Sequence, residues 1–265
     1  MAVLLTAATP TRTSEYVVSV ADHTDQVAAA QRLRRQVFAA EFGAEFGAGC
    51  DTRSGGLDAD RDVDGFDEHC DHLIVRHGRT GAVVGTYRLL PPDRAARLGR
   101  WYADTEFDTR PLRLIGDHLV EAGRACVHPD HRGGAVINLI WAGIARYLRD
   151  RDLRWLGGCA SVPLHDGGAS AHAVWRTVRD RHLAPPLLRV RPRRPWLAEP
   201  EPPPAPVLPG TGRVGMPPLL RGYLRLGAWV CGEPAYDPDF AVADLYVLLS
   251  LDRIDPRYLR HFLEL

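Results

Sequence analysis

The sequence predicts an α/β fold of the α+β kind, a mixed sheet flanked by helices with a C-terminal extension. Three observations predict it. The stretch from Glu121 to Leu148, EAGRACVHPDHRGGAVINLIWAGIARYL, reads as strand, glycine turn and helix in succession. Two strand-like runs, His72 to Val75 and Val83 to Leu90, flank the turn His77-Gly78-Arg79-Thr80-Gly81 and read as a hairpin. Strand-like and helical segments otherwise alternate, the order expected when helices cover a sheet.

Tyr16 to Val20 is the first strand. Thr24 caps a helix with Asp25 in its first turn, and Val27, Ala30, Leu33, Val37 and Phe38 share one side up to a stop near Gly43. A Gly- and Asp-rich loop runs to about Gly65. The hairpin follows, and Pro91-Pro92 stops its second strand. The strand from Glu121 carries Ala125, Cys126 and Val127. His128-Pro129 ends it, because proline cannot donate to a sheet ladder. After Arg132-Gly133-Gly134-Ala135 a helix reads from Val136, with Ile137, Leu139, Ile140, Trp141, Ile144, Ala145, Tyr147 and Leu148 at three- and four-residue spacings. Trp155 to Ala160 is a strand, and about Ala169 to His182 a helix. From Pro185 to Pro218 the chain holds 12 of its 21 prolines, which excludes regular structure and predicts an ordered cover or a floppy insertion. Leu224 to Val230 and Leu245 to Leu249 read as closing strands. The organisation is then a tail over 1–14, a core over 15–184, a Pro-rich insertion or cover over 185–218, and closing strands with a C-terminal helix of the same domain over 219–265.

Composition narrows the function. At 265 residues and 45% apolar the chain can bury a full core. All 33 basic residues are arginine and the formal net charge is zero, which leaves no electrostatic footprint for nucleic acid. The five cysteines, Cys50, Cys70, Cys126, Cys159 and Cys231, are odd in number, scattered and without metal spacing, so a reduced cytoplasmic setting is expected. Met1 to Thr6 is too short an apolar run for a signal peptide. No later stretch reaches the ~18 apolar residues of a membrane span.

Several residues invite chemistry. A strand, a glycine turn and a helix N-terminus together aim backbone N–H groups at an oxygen-rich ligand. Arg88 sits in a strand after Gly85 and Thr86, where an unpaired charge is costly. Arg34, Asp64 and Asp67 are candidates to complete a charge network with it, and surface ion pairs are the alternative. Cys126 and Cys159 read as buried small hydrophobes and His128 as a turn residue. Asp67, His69, Asp71 and His72 hint at a metal, but on a strand His72 faces away from His69 and Asp71, so no metal site is expected. Arg189, Arg191, Arg193 and Arg194 form a solvated run that would also suit an acidic partner.

Asp130-His131-Arg132-Gly133-Gly134-Ala135 resembles the acyl-donor loop of the GNAT superfamily of N-acyltransferases, Gln/Arg-x-x-Gly-x-Gly/Ala, with Asp130 in the first place. The resemblance implies a GNAT-like, mostly antiparallel sheet and an acyl-donor loop of Val127, His128, Arg132, Gly133, Gly134 and Ala135. An acid at the first place counts against coenzyme A pyrophosphate. Glu121, six residues before Val127, is similar to the general-base glutamate of several members. Arg34 and Phe38, then Asp64-Gly65-Phe66-Asp67, then Gly85-Thr86-Tyr87-Arg88-Leu89-Leu90, then Glu121-Ala122-Gly123-Arg124 occur in an order that resembles the acyl-homoserine-lactone synthases. The segments FDEHCDHLIV from Phe66, VGTYRLL from Val84, GRACVHP from Gly123, VINL from Val136, GCAS from Gly158 and PPLLRGYLRLGA from Pro217 are more similar still to the ornithine Nα-acyltransferases, also labelled haemolysin-like.

This resemblance implies transfer of a fatty acyl group, 3-hydroxyacyl included, from acyl carrier protein to the α-amine of ornithine or a similar amino acid. That is the first step of aminolipid synthesis. No bound cofactor is implied: the acyl-phosphopantetheine of acyl carrier protein, or a coenzyme A thioester, is a co-substrate. Glu121 and Arg88 are the catalytic candidates, and Arg34, Phe38, Asp64, Asp67 and Arg124 the substrate-binding ones. Glu121 as a brace for Arg124 or Arg88 remains the alternative to a base. The expected partners are acyl carrier protein and an amino acid, in the cytoplasm, with peripheral association at the inner membrane surface left open. The competing readings are an acetyl-coenzyme A N-acetyltransferase, an acyl-homoserine-lactone synthase, which the extension from Pro185 disfavours, and a catalytically silent binding scaffold.

Overall fold

The computed structural model describes residues 11–12, 15–42, 60–196 and 215–264. The Gly-rich part of the first loop, Cys50 and the proline run from 197 to 214 lie outside them. In chain order the strands are β1 (Thr11–Arg12), β2 (Tyr16–Val20), β3 (Asp71–His77), β4 (Val83–Leu90), β5 (Phe107–Asp108), β6 (Leu119–Val127), β7 (Trp155–Pro163), β8 (Arg191–Pro192), β9 (Trp229–Val230), β10 (Ala235–Asp237) and β11 (Val242–Ser250). The α-helices are α1 (Thr24–Phe42), α2 (Pro92–Leu98), α3 (Ala135–Asp150), α4 (Ala169–Arg181), α5 (Pro218–Arg225) and α6 (Pro256–Glu264).

The chain forms two compact units. The first comprises Met1–Leu98, Ala122–Arg154 and Pro256–Leu265. Its strands follow the order β1-β2-β3-β4 and then the second half of β6. The pairs β1/β2, β2/β3 and β3/β4 are antiparallel. The hairpin read from the sequence is therefore present, with a bulge between Val75 and Arg76. β4 is buried on both faces from Val84 onward. α1 packs on β3 and β4, and α3 on β2, β3 and β4. α6 lies against α3. Gly85 makes the packing of α3 on β4 tight: a β-carbon there would stand 2.7 Å from the Val136 side chain.

The second unit comprises Gly99–Glu121 and Trp155–Asp255. The first residues of β6 pair in parallel with β7, Leu119 with Trp155 through Glu121 with Gly157. β7 is antiparallel to β11 along its whole length. β10 and β9 also pair antiparallel with β11, while β5 and β8 form a separate two-stranded ribbon. Helix α4 packs on β7 and α5 on β11. The core gathers Phe107, Leu112, Leu119, Tyr246 and Leu248, each at most 1% exposed. The mixed, mostly antiparallel sheet with flanking helices is as predicted.

Two readings are corrected. Leu224 to Val230 is not one strand: Pro218–Arg225 is helical, Gly227 turns the chain at φ +91°, and only Trp229–Val230 pairs. The proline segment is not wholly irregular, since Pro186–Leu188 makes a 3-10 turn and Arg191–Pro192 pairs with β5. No helix among the described residues is long and apolar enough to cross a membrane.

Candidate active site

In the first unit three arginines and three aspartates close into a buried network. Arg34, 0% exposed on α1, donates to Asp67 Oδ1 at 2.8 Å and Oδ2 at 3.0 Å and to the Asp62 carbonyl. Its Nε lies 2.7 Å from Asp62 Oδ2, an ion pair too oblique to count as a hydrogen bond. From β4, Arg88 Nη1 reaches Asp64 Oδ1 at 2.6 Å and Asp67 Oδ2 at 3.4 Å. From β6, Arg124 pairs with Asp62 at 3.3 Å and Asp64 at 3.2 Å. Arg34, Asp64, Asp67 and Arg88 are thus brought together, as the network reading expected, and Arg124 joins them. Asp62 was missed.

The electrostatics follow from this closure. Burial alone would raise the Asp67 carboxyl, but the hydrogen bonds and charge of Arg34, with the charge of Arg88, outweigh it and hold Asp67 at about 2. Asp64 is lowered against its own burial by Arg88 and Arg124. Arg88 is raised despite burial, chiefly by Asp64. His72 is pushed down by burial. Its Nε2 lies 3.2 Å from the Asp67 carbonyl, an acceptor, so that nitrogen is the donor. Phe38 is buried one turn from Arg34.

Arg124 adds strain. Its φ of +53° lies in the left-handed region, inside a strand and without glycine's freedom. Such a residue persists where its surroundings over-determine it.

The residues of the predicted donor loop follow directly on β6. His128 N–H donates to the Val84 carbonyl at 2.8 Å, and its Nδ1 accepts from Asp130 N–H at 3.3 Å, the local turn role read from the sequence. Pro129–His131 is a single 3-10 turn. His131 is fixed by Tyr16, whose hydroxyl lies 2.9 Å from its Nδ1. Arg132 folds back onto the Val127 carbonyl at 3.1 Å and onto the carboxylate of Glu41. Gly134 precedes α3 with φ +97° and no side chain to cap it, so the leading N–H donors of the helix have no side-chain cap. Glycine is needed at 134 for this backbone angle, since a β-carbon at either Gly133 or Gly134 would meet nothing within 4 Å.

Glu121 belongs to the second unit. It is 5% exposed, at the end of the part of β6 that pairs with β7. Its Oε2 accepts from Tyr102 N–H at 2.6 Å and its Oε1 from Ala103 N–H at 2.8 Å. These are the first two N–H groups of the 3-10 helix Tyr102–Thr105, donors for which a helix has no internal use. Asp104 closes that turn by accepting from Trp101 N–H at 2.9 Å. Nearby, the Tyr246 hydroxyl is buried without a hydrogen-bond partner, over Gly157, where a β-carbon would overlap it. Burial first, and then the charge of Glu121, raises that phenol.

Glu106, Asp237 and Asp244 also converge in the second unit. Burial, then Asp244, then Asp237 push Glu106 up to about 10, so it holds a proton against its neighbours. Ser161 donates to Asp244 at 2.6 Å. Burial followed by the charge of Glu106 raises the Cys159 thiol, and burial takes Cys126 up to about 12, which suits inert cysteines.

Residues 33–142 match the acetyltransferase (GNAT) domain family. A protein of Rhodobacter capsulatus named L-ornithine N(alpha)-acyltransferase is 37% identical over 255 residues, covering 92% of this chain and 93% of its own. Namesakes from Brucella abortus and Rhizobium meliloti are each 32% identical, over 92% and 89% of this chain and 88% and 80% of theirs. Among solved structures, a CoA-dependent acyl-homoserine lactone synthase, BjaI, with MTA, superposes with a TM-score of 0.51 at 15% identity. It covers 91% of this chain and 82% of that one, and the likeness is one of fold.

Proposed function

The chain belongs to the L-ornithine N(alpha)-acyltransferase family and is an acyltransferase, and from that premise we propose that it moves a fatty acyl group, 3-hydroxyacyl included, from acyl carrier protein to the α-amine of ornithine. The observation that carries the reading is the similarity over 92% of this chain and 93% of its Rhodobacter relative. The reaction is read as cytoplasmic and as the first step of aminolipid synthesis. In the donor loop, the carboxylate of Asp130 stands where a pyrophosphate-binding group would be wanted, which supports a carrier-protein donor over coenzyme A.

The chemistry is an aminolysis. The neutral amine attacks the thioester carbonyl carbon, a C–N bond forms, the C–S bond breaks, and the thiolate leaves to be protonated. Glu121 removes the amine proton, directly or through one water, with its carboxylate oriented by the Tyr102 and Ala103 N–H groups. The donor arm rests on the leading N–H groups of α3. Asp64 and Arg124 meet the charged groups of the amino acid, Arg88 holds Asp64, and the enclosed Arg34 positions Asp67 without touching substrate.

Turnover of ornithine with acyl carrier protein thioesters tests the reading. A carrier protein docks by charge, so the rate should fall steeply as salt rises. Equal or faster turnover of acetyl-coenzyme A, insensitive to salt, would move the protein to the acetyltransferase reading.

A further inference from the structure

One face of the second unit is unlike the rest of the molecule. A cleft of about 1180 Å³ opens there, lined by Arg110, Arg189 and Arg191 and by two leucines, Leu114 and Leu187. These leucines are 73% and 75% exposed, against at most 50% for any other exposed large apolar side chain among the described residues. Leu114 stands on the 3-10 helix Arg110–His118 and Leu187 on the 3-10 turn Pro186–Leu188, two segments that pack on each other. Tyr236, 40% exposed, lies on β10, its N–H donating to the Arg194 carbonyl at 2.8 Å.

The charge around these tips is one-sided. Between Arg179 and Pro195 the chain carries six arginines and one acid, Asp180, in a protein whose formal net charge is zero. Arg189 Nε donates to the Ala184 carbonyl at 2.8 Å and Arg193 Nε to the Asp104 carbonyl at 2.7 Å. Bonds to neutral carbonyls pin these side chains; Arg193 also acts on the Asp108 carboxylate, and Arg179 pairs with Asp180 at 3.3 Å, which leaves the run a surplus of arginine. Two acids also line the cleft, Asp108 and Glu233, and Asp108 is held by Arg110 at 2.6 Å.

We propose that this face docks the enzyme onto an anionic lipid bilayer. Leu114 and Leu187 enter the acyl boundary, Tyr236 sits at headgroup level, and the arginines bind lipid phosphates while their stems lie along the apolar surface. Charge alone would equally suit an acidic protein. The two nearly bare leucines between the arginines favour lipid, because an apolar tip gains most where it leaves water entirely. The proposal does not depend on which amine is acylated, and its test needs no turnover.

The test is flotation of the whole chain with vesicles of phosphatidylcholine alone or mixed with one quarter phosphatidylglycerol. The chain should float with the mixed vesicles only, and raised salt should release it. Arg191→Ser should weaken partition about fivefold, the worth of one basic residue near an anionic surface. Leu187→Asp and Leu114→Asp, both at exposed tips, should abolish flotation while keeping wild-type circular dichroism. Failure of the wild type to float, flotation insensitive to salt, or full flotation of the leucine variants would overturn the proposal. If Arg191→Ser and Leu187→Asp leave flotation intact but weaken capture by immobilised acyl carrier protein, the face is a protein-docking surface and the lipid assignment falls.

Discussion

Glu121, the proposed base, is one carboxylate fixed by two backbone donors. Glu121→Gln removes the base and should lower the rate per folded molecule by ~10²–10⁴-fold. Part of that loss should return as pH rises, because more amine arrives already neutral. The variant should also melt lower. Its amide NH2 must face one of the two N–H groups, a mismatch of about 1–3 kcal/mol. A pH–rate profile on material of known folded fraction separates the effects, and a wild-type rate per folded molecule would leave Glu121 a brace. Two other carboxyls make stability depend on pH. Asp67 is held at about 2 against 3.8 unfolded, so its contribution, about 2 kcal/mol, is present above pH ~4 and lost as pH falls through about 2. Glu106, raised from 4.5 to about 10, runs the other way: its contribution is full below pH ~4.5 and is lost progressively as pH climbs from there to about 10. Urea midpoints across pH should show Asp67→Asn flattening the acid limb and Glu106→Gln the alkaline limb. The sequence exposed Arg88, Arg34, Asp64 and Asp67 because charged residues at strand and helix positions demand partners. Asp62 was hidden among the acids of its loop. Tyr102 and Ala103 left no trace, since a backbone N–H has no letter of its own. Nothing in an arginine announces the left-handed turn at 124.

At the scale of elements, the start of α3 carries a prediction. Gly134 stands at φ +97°, a region a β-branched residue scarcely visits, with a cost of roughly 1–2 kcal/mol. Gly134→Val should therefore tilt the leading N–H groups of α3 and raise the Michaelis constant for the acyl donor while the sheet stays folded. An unchanged donor constant in a variant with normal circular dichroism would end the idea. Elements with a long, consistent period were legible: α3 buries most of its residues from Val136 to Leu148, and its spacing shows in the letters. β2, β4 and the start of α1 were placed for similar reasons, by flanking turns and by Asp25 in the first helical turn, although Thr24 is itself helical and the His23 carbonyl accepts the first bond. The failure at Leu224 to Val230 has a physical cause. Leu224, Leu226, Ala228 and Val230 alternate like a strand, but the first belongs to the last turn of α5 and the alternation crosses a glycine turn at Gly227. The nine-residue 3-10 helix Arg110–His118 buries only Leu112, too little to write a period at all.

The whole molecule is woven rather than strung. The first unit draws on three stretches of chain and the second on two, and β6 begins in one and ends in the other. A cut at any unit boundary therefore leaves the first unit incomplete, and a cut after Glu121 or Arg154 divides the second as well. Expression of residues 1–98 alone should give an unfolded product by circular dichroism, and a cooperative melt of that fragment would contradict the interleaving. Helix α6 is the sharpest case, since Pro256–Glu264 lies against α3 yet follows it by more than a hundred residues. Synthesis runs from the N-terminus at ~5–20 residues per second, so for several seconds at least α3 exists without its cover. The nascent chain must then carry an uncovered apolar helix through the making of nearly half its length. This enzyme should lean on cellular holding factors while it is being made, even if the finished protein is robust, and deletion of Pro256–Leu265 should make that transient exposure permanent, as insoluble protein.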